Sequence, residues 1–311
     1  AGFDSWLDQN PTIKKQSAPT TVTVNPATNM PLSRAVSVTR VQFSTRRLPD
    51  TGGEVLIHGI LARPLVTCRI RMNSPAILVC HGGGGSAESL AGAVIGWADR
   101  GYVAFSQDQP GISNLYKEGQ SNTLHPDTIL PGVGTAASPL SFRIPGRPDT
   151  CNLFDGIVAA LSGLALLRSQ SDVDRTRVGV TGGSWGGYMT TMVAGLAGNR
   201  VKSAFSVYGA GYFDLGSEWR HHLYAGSYSS KTRDLWLASF DAGRRAPNIR
   251  ATYFCGAAAN DCYFWPVSVR STLDKITAPK NYLFSPNDSH ALSVPGGTLE
   301  VNYKVNRTNM E

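Results

Sequence analysis

Apolar residues in this chain cluster in short runs that stop at glycine. Residues 76–80 (Ala-Ile-Leu-Val-Cys) are continuously apolar and end at His81, which four glycines follow. A run of that length without polar alternation predicts a strand covered on both faces, as in a parallel sheet. Residues 87–100 read as a helix and 101–105 as the next strand, so strand, glycine-rich turn, helix and strand follow one another. Leu153, Ile157, Leu161 and Leu164, at intervals of four, four and three, mark an amphipathic helix to Ser169, with Asn152 and Asp155 resembling a capping pair. A strand over 177–181, a break at Gly182-Gly183-Ser184-Trp185-Gly186-Gly187 and a helical pattern to Leu196 repeat the unit. Strands over 201–208, 252–255 and 281–284 complete the series.

Upstream the texture differs. Residues 55–62 and 68–71 read as an antiparallel opening. Residues 1–35, rich in Pro, Thr, Ser and Asn, read as an extended arm that lies against the domain or is partly disordered. Residues 212–247 are aromatic and charged without clean periodicity, which predicts an insertion over the sheet edge. Strands and helices alternating in this way specify an α/β fold, a mostly parallel central sheet with helices on both faces. Residues 36–311 are read as one such domain, and no solenoid or propeller period repeats along the chain.

Hydrophobic residues make up 41% and charged residues 16% of the 311, a balance that provides for one large core and excludes a largely disordered chain. The net charge of +7 raises nucleic acid as a partner. Basic residues never run beyond pairs such as Lys14-Lys15, Arg46-Arg47 and Arg244-Arg245, so no basic stripe exists and nucleic acid is not expected. Cys68, Cys80, Cys151, Cys255 and Cys262 include no C-x-x-C pair and no Cys/His spacing suited to zinc, so no metal site is expected. Cys255 and Cys262 flank a short loop and read either as a disulfide, suiting an oxidising compartment, or as free thiols. No apolar run reaches the roughly 18 residues that a membrane span needs. The start at Ala1-Gly2-Phe3-Asp4, without a charged and apolar leader, fits a processed secreted or periplasmic protein as well as a trimmed cytoplasmic one.

Gly182-Gly183-Ser184-Trp185-Gly186 is a G-x-S-x-G match lying between an apolar strand and a helix. A serine on a sharp strand-to-helix turn needs neighbours without Cβ, and the strain there lifts its Oγ into the open. Alone, the pattern equally fits a tight turn with a bystander serine; the flanking elements carry the functional reading. The helix N-terminus favours developing negative charge, with the Trp185 N–H placed as an oxyanion donor. Gly83 and Gly84, in the stretch after His81, are the candidate second donors, because backbone N–H groups approach a substrate oxygen only where side chains do not intervene. The same stretch also reads as Gly82-x-Gly84-x-x-Ala87 with Asp108 about 20 residues on, the dinucleotide fingerprint. That reading leaves Ser184 unexplained, and no cofactor is expected.

A serine hydroxyl needs a base within hydrogen-bond reach, and the base needs an acid to fix its tautomer. On a serine turn of this type the order along the chain is serine, acid, histidine. Of the six histidines only His290 lies downstream of both Ser184 and a strand end, whereas His221 and His222 fall in the insertion. Asp261, in the loop after the strand at 252–255, is the expected acid. Asp288 sits too close to His290 in sequence, Asp274 falls on a helix beginning near Pro266, and Asp241 and Asp214 lie in the insertion. Trp265, Tyr188 and Trp219 are the expected substrate contacts. The wider aromatic set of Tyr212, Phe213, Trp219, Tyr224, Tyr228 and Trp236 either lines a cleft or packs the insertion.

Five pieces of sequence carry a family resemblance: His81 to Gly85, Gly101 to Asp108, Gly182 to Tyr188, Asn260-Asp261 with Phe264-Trp265-Pro266, and Pro286 to His290. On these the chain resembles the dienelactone hydrolase, acetyl xylan esterase and prolyl-oligopeptidase-like branch of the α/β-hydrolases. The resemblance implies the α/β-hydrolase fold, a triad of Ser184, Asp261 and His290, and cofactor-free hydrolysis of a carboxylic ester, with a small-molecule or carbohydrate ester as partner. A serine peptidase or thioesterase of the same fold is one alternative, and a non-catalytic binding protein is another. A peptidase of this branch usually carries a large gating domain, which about 50 N-terminal residues cannot build. The departure lies at the end, where such folds add a packing helix and residues 298–305 here read as a strand.

Overall fold

The computed structural model describes residues 3–49, 51–65, 73–110, 147–224, 229–286 and 289–290. The expected strands over 68–71 and 298–305, together with Cys68, Tyr228 and Asp288, lie outside the described residues. In chain order the elements are β1 (Thr12–Gln16), β2 (Thr20–Val24), β3 (Pro31–Arg47), β4 (Glu54–Pro64), β5 (Ser74–Cys80), α1 (Ala91–Asp99), β6 (Val103–Gln107) and α2 (Asn152–Arg168). They continue with β7 (Val173–Gly183), α3 (Trp185–Ala197), β8 (Ser203–Val207), α4 (Arg220–Tyr224), α5 (Ser230–Phe240), β9 (Thr252–Ala258), α6 (Pro266–Lys275) and β10 (Lys280–Ser285).

One sheet holds all the strands among the described residues, in the order β1-β3-β4-β6-β5-β7-β8-β9-β10, with β2 also paired to β3. The strands from β6 through β5, β7, β8 and β9 to β10 run parallel, and the opening strands join antiparallel. Alternation along each strand sorts the core into two layers. Ile77 and Val79 of β5, with Ile60 and Ala62 of β4, meet α1 on one face. Ala76, Leu78 and Cys80, with Val55 and Ile57, face α2 and α3 on the other. Helices on both sides are what bury the apolar run of β5 on both faces, and the expected fold class is the observed one.

The N-terminal part departs from its reading as an arm. Residues 12–16 and 20–24 are strands, and β3 covers 17 residues where the sequence reading began regular structure only at 55. Strand β3 hides its pattern by changing faces. Val36 and Val38 pack on the α1 layer, and a step of three residues then puts Val41 and Phe43 on the other.

Helix α2 begins one residue after its N-cap, so Asn152 is its first helical residue and not the N-cap. Its N-cap residue is Cys151, which makes no side-chain cap bond, and the Asp155 carboxylate instead accepts from Arg46 Nε at 2.6 Å. The guanidinium and the carboxylate are both buried, and Arg46 also lies 4.7 Å over the Phe154 ring. A buried carboxylate that early in an apolar helix needs a countercharge, and β3 supplies it. The segment between β8 and β9 holds α4 and α5. Its carboxylate Asp241 is buried and accepts from the Tyr212 and Phe213 N–H groups at 2.8 and 2.9 Å; burial pushes that carboxyl above the usual range. Cys255 and Cys262 do not form a disulfide; both are free, the first buried and the second exposed. Among the described residues no helix is long and apolar enough to cross a membrane.

Candidate active site

Three loops at the same end of the parallel strands build the site. Strand β7 ends at Gly183 and α3 begins at Trp185, so Ser184 alone makes the turn. Its φ of 59° and ψ of −124° fall in a region that L-residues avoid, and the conformation is held by Ser184 N–H donating to Val207 O at 2.8 Å. The turn is sharp enough to exclude side chains on either side. A Cβ on Gly186 would lie 2.1 Å from Cys80 O, and one on Gly182 would lie 2.5 Å from the same oxygen. Both obstacles are backbone and cannot swing aside. Gly186→Ala is therefore expected to cost about 3 kcal/mol or more of folding stability, read from urea unfolding. A wild-type midpoint for this variant would refute the packing argument.

Asp261 lies in the loop after β9 and His290 in the segment after β10. Asp261 Oδ1 accepts from the Tyr263 and Phe264 N–H groups at 2.8 and 3.0 Å, which sets the carboxylate plane. Oδ2 stands nearer the imidazole, 2.9 Å from His290 Nδ1, with Oδ1 at 3.1 Å from the same nitrogen. On the other side of the ring, the Ser184 hydroxyl donates to His290 Nε2 at 2.7 Å. The acid side chain is 1% exposed and the base 17%, so the carboxylate is withdrawn from water while the imidazole edge stays reachable. The rings of Tyr208, Tyr263 and Phe264 surround the imidazole at centroid distances of 4.9, 4.7 and 5.9 Å.

The structure thus brings together Ser184, Asp261 and His290. The rejected acids lie elsewhere: Asp274 sits on α6 and pairs with Arg270, Asp214 pairs with Arg244, and Asp241 caps the short helical turn Ala242–Arg244. Trp185 opens α3, where the first N–H groups of a helix have no intrahelical acceptor. The glycine loop passes beside the serine: a Cβ on Gly82 would stand 3.5 Å from Ser184 Cβ and 3.2 Å from Gly183 O. Gly83 and Gly84 follow in a turn closed by Gly85 N–H donating to Gly82 O, with Gly84 at φ +73°. Asp108, the acid of the alternative dinucleotide reading, is buried and accepts from the Ala87 N–H at 2.8 Å. Its carboxylate braces the loop from inside instead of standing open to a ribose.

Two of the expected substrate contacts are buried side chains. Tyr188 is fully buried, packs its ring tilted against Trp185 at a centroid distance of 4.5 Å and donates its hydroxyl to Phe240 O at 2.6 Å. Trp219 is 3% exposed and wedged among Trp185, Phe213 and Phe264. Both join the insertion to α3, and the same holds for Phe213 and Trp236. Trp265 is 40% exposed and donates Nε1–H to Cys262 O at 3.1 Å, so it stands at the rim beside the acid loop. Tyr263, 37% exposed and edge-on to the imidazole, was not singled out in the sequence. Its only signal there is its place two residues after the acid.

A mostly parallel sheet with this strand order, and a serine on the strand-to-helix turn at its centre, is the α/β-hydrolase fold. Residues 154–234 match the family model described as the prolyl oligopeptidase family. Acetyl xylan esterase from Paenibacillus sp. R4 is similar over 99% of this chain and 92% of its own, at 18% identity and a TM-score of 0.71. Acetyl xylan esterase 1 from Thermoanaerobacterium sp. JW/SL YS485 is similar over 98% and 92%, at 18% identity and a TM-score of 0.68. Dipeptidyl peptidase 4 of Porphyromonas gingivalis matches 86% of this chain but 35% of its own length, at 14% identity and a TM-score of 0.56.

Proposed function

We propose that the chain is a serine hydrolase that cleaves carboxylic esters, carbohydrate acetyl esters included, through an acyl-enzyme. One observation carries this reading, the hydrogen-bonded path from Ser184 Oγ through His290 to Asp261 at 2.7 and 2.9 Å. Ser184 Oγ attacks the ester carbonyl carbon while His290 Nε2 takes its proton, and the imidazolium is stabilised by the adjacent carboxylate. The carbonyl oxygen becomes an oxyanion, held by the Trp185 N–H and a donor from the glycine loop. Collapse expels the alcohol, which takes the proton from His290. Water, activated by the same base, then releases the acid and restores the serine.

The two acetyl xylan esterases match the chain nearly end to end, which supports an ester as substrate. The prolyl oligopeptidase family match supports a second reading, a peptidase using the same side chains. Hydrolysis of p-nitrophenyl acetate set against a dipeptide p-nitroanilide separates the two. Ester turnover without anilide cleavage is expected, and the opposite pattern would replace esterase with peptidase. Turnover of neither, with no labelling of Ser184 by a fluorophosphonate, would favour a binding protein.

A further inference from the structure

We propose that His81 and Gln109 are a positioning pair that fixes the Gly82–Gly83 peptide and so selects the Gly83 N–H, not that of Gly84, as the second oxyanion donor. This rests on the serine-hydrolase reading above. Both residues are buried, at 1% and 0% exposure, and their side chains are turned inward, away from substrate.

The hydrogen bonds around His81 assign its tautomer. The Gln109 N–H donates to His81 Nε2 at 2.9 Å, so that nitrogen is the acceptor. The proton therefore sits on Nδ1, which donates to Gly82 O at 2.7 Å. Burial pushes the imidazole below its ordinary value of 6.5, with Asp108 acting in the opposite direction, which keeps the ring neutral as this pattern requires. Gln109 closes the clamp by donating its side-chain N–H to His81 O at 3.0 Å.

Gly82 O thus accepts two bonds, from His81 Nδ1–H and from the Gly85 N–H at 3.0 Å. No cis peptide occurs among the described residues. In a planar trans peptide the carbonyl of one residue and the N–H of the next point to opposite sides. Pinning the Gly82 carbonyl toward the buried imidazole therefore turns the Gly83 N–H away from it, to the open side of the loop that passes Ser184. Glycine has few intrinsic constraints on this rotation, so without the clamp the peptide can flip and present an oxygen where a donor is needed. A neutral histidine thereby preorganises a dipole that acts only on the transition state.

Replacements at position 81 separate the two ring nitrogens. In His81→Asn the amide N–H falls near Nδ1 and can still donate to Gly82 O; in His81→Gln the amide falls near Nε2 and cannot; His81→Ala has neither. Loss of one oxyanion donor costs about 10²–10³ in kcat. His81→Ala and His81→Gln are expected to lose about that much on p-nitrophenyl acetate, with KM nearly unchanged, and His81→Asn to recover most of it. Affinity for a boronic acid, which mimics the tetrahedral adduct, should fall in step with kcat. Gln109→Leu, which keeps bulk and removes the side-chain donor, gives a second readout if His81→Ala does not fold; its kcat should fall while KM holds.

Equal kcat for the Asn and Ala variants at native-like thermal midpoints, or parallel losses in kcat and substrate affinity, would overturn the clamp. If Ser184→Ala is inactive while His81→Ala keeps wild-type kcat, the clamp fails and the hydrolase reading stands. If wild-type protein hydrolyses no acyl ester and Ser184 takes no fluorophosphonate, the hydrolase reading fails and the clamp fails with it.

Discussion

Ser184→Ala should lower kcat on an aryl acetate by about six orders of magnitude while leaving the fold intact. The loss is that large because the remaining residues act only through the nucleophile. His290 has no proton to remove at the right point, and Asp261 then orients a base without a task. What remains is transition-state binding by backbone donors, worth about 10³–10⁴ over water in comparable sites. Alanine relieves little of the strain at φ 59°, since its Cβ is kept, so the variant should unfold near the wild-type midpoint. Activity within tenfold of wild type in the Ser184→Ala protein would remove the nucleophile assignment.

Asp261→Asn should cost about four orders of magnitude in kcat with the backbone unchanged. The reason lies in how the carboxylate is held. One oxygen is committed to the Tyr263 and Phe264 N–H groups, so an asparagine would keep its carbonyl there and turn its amide N–H groups toward His290 Nδ1. Donor would then face donor, and the imidazole would move its proton to Nε2. That nitrogen, 2.7 Å from Ser184 Oγ, could no longer accept. The plateau kcat of the variant on an aryl acetate, set against that of wild type, checks this. An asparagine variant with a near-normal plateau would mean that Asp261 does not orient the base.

Sequence made the central part of this molecule readable for a definite reason. Strand β5 shows as an apolar run over 76–80 and the buried end of β7 as Val178-Gly179-Val180, and the Ser184 turn shows as glycines, of which Gly182 and Gly186 have backbone where a Cβ would stand. The edge of the sheet lacked that clarity. Strands β1 and β2 are mostly exposed, so nothing in their composition distinguishes a paired strand from a polar arm. The buried role of Tyr188 had a signal that was outweighed by its nearness to the serine. Positions 185, 188, 189 and 192 share one α3 face by spacing alone, and all four are buried. Trp219 had no comparable pattern, because its packing comes from the insertion folding over α3. The partnership of His81 with Gln109 spans 28 residues and depends on which nitrogen bears a proton, which no local pattern records.

The three members of the Ser184–His290–Asp261 path are anchored unequally. Strand β7, which delivers the serine, is bordered by β5 and β8, and β9, which precedes the acid, by β8 and β10. The strand before the histidine, β10, is at the border of the sheet and shares a ladder with β9 alone among the described residues. Fewer cross-strand bonds must break to release it than to release either interior strand. Partial opening under heat or denaturant would therefore detach the imidazole first, so that turnover ceases while the nucleophile's surroundings are still intact, and loss of activity should run ahead of loss of structure.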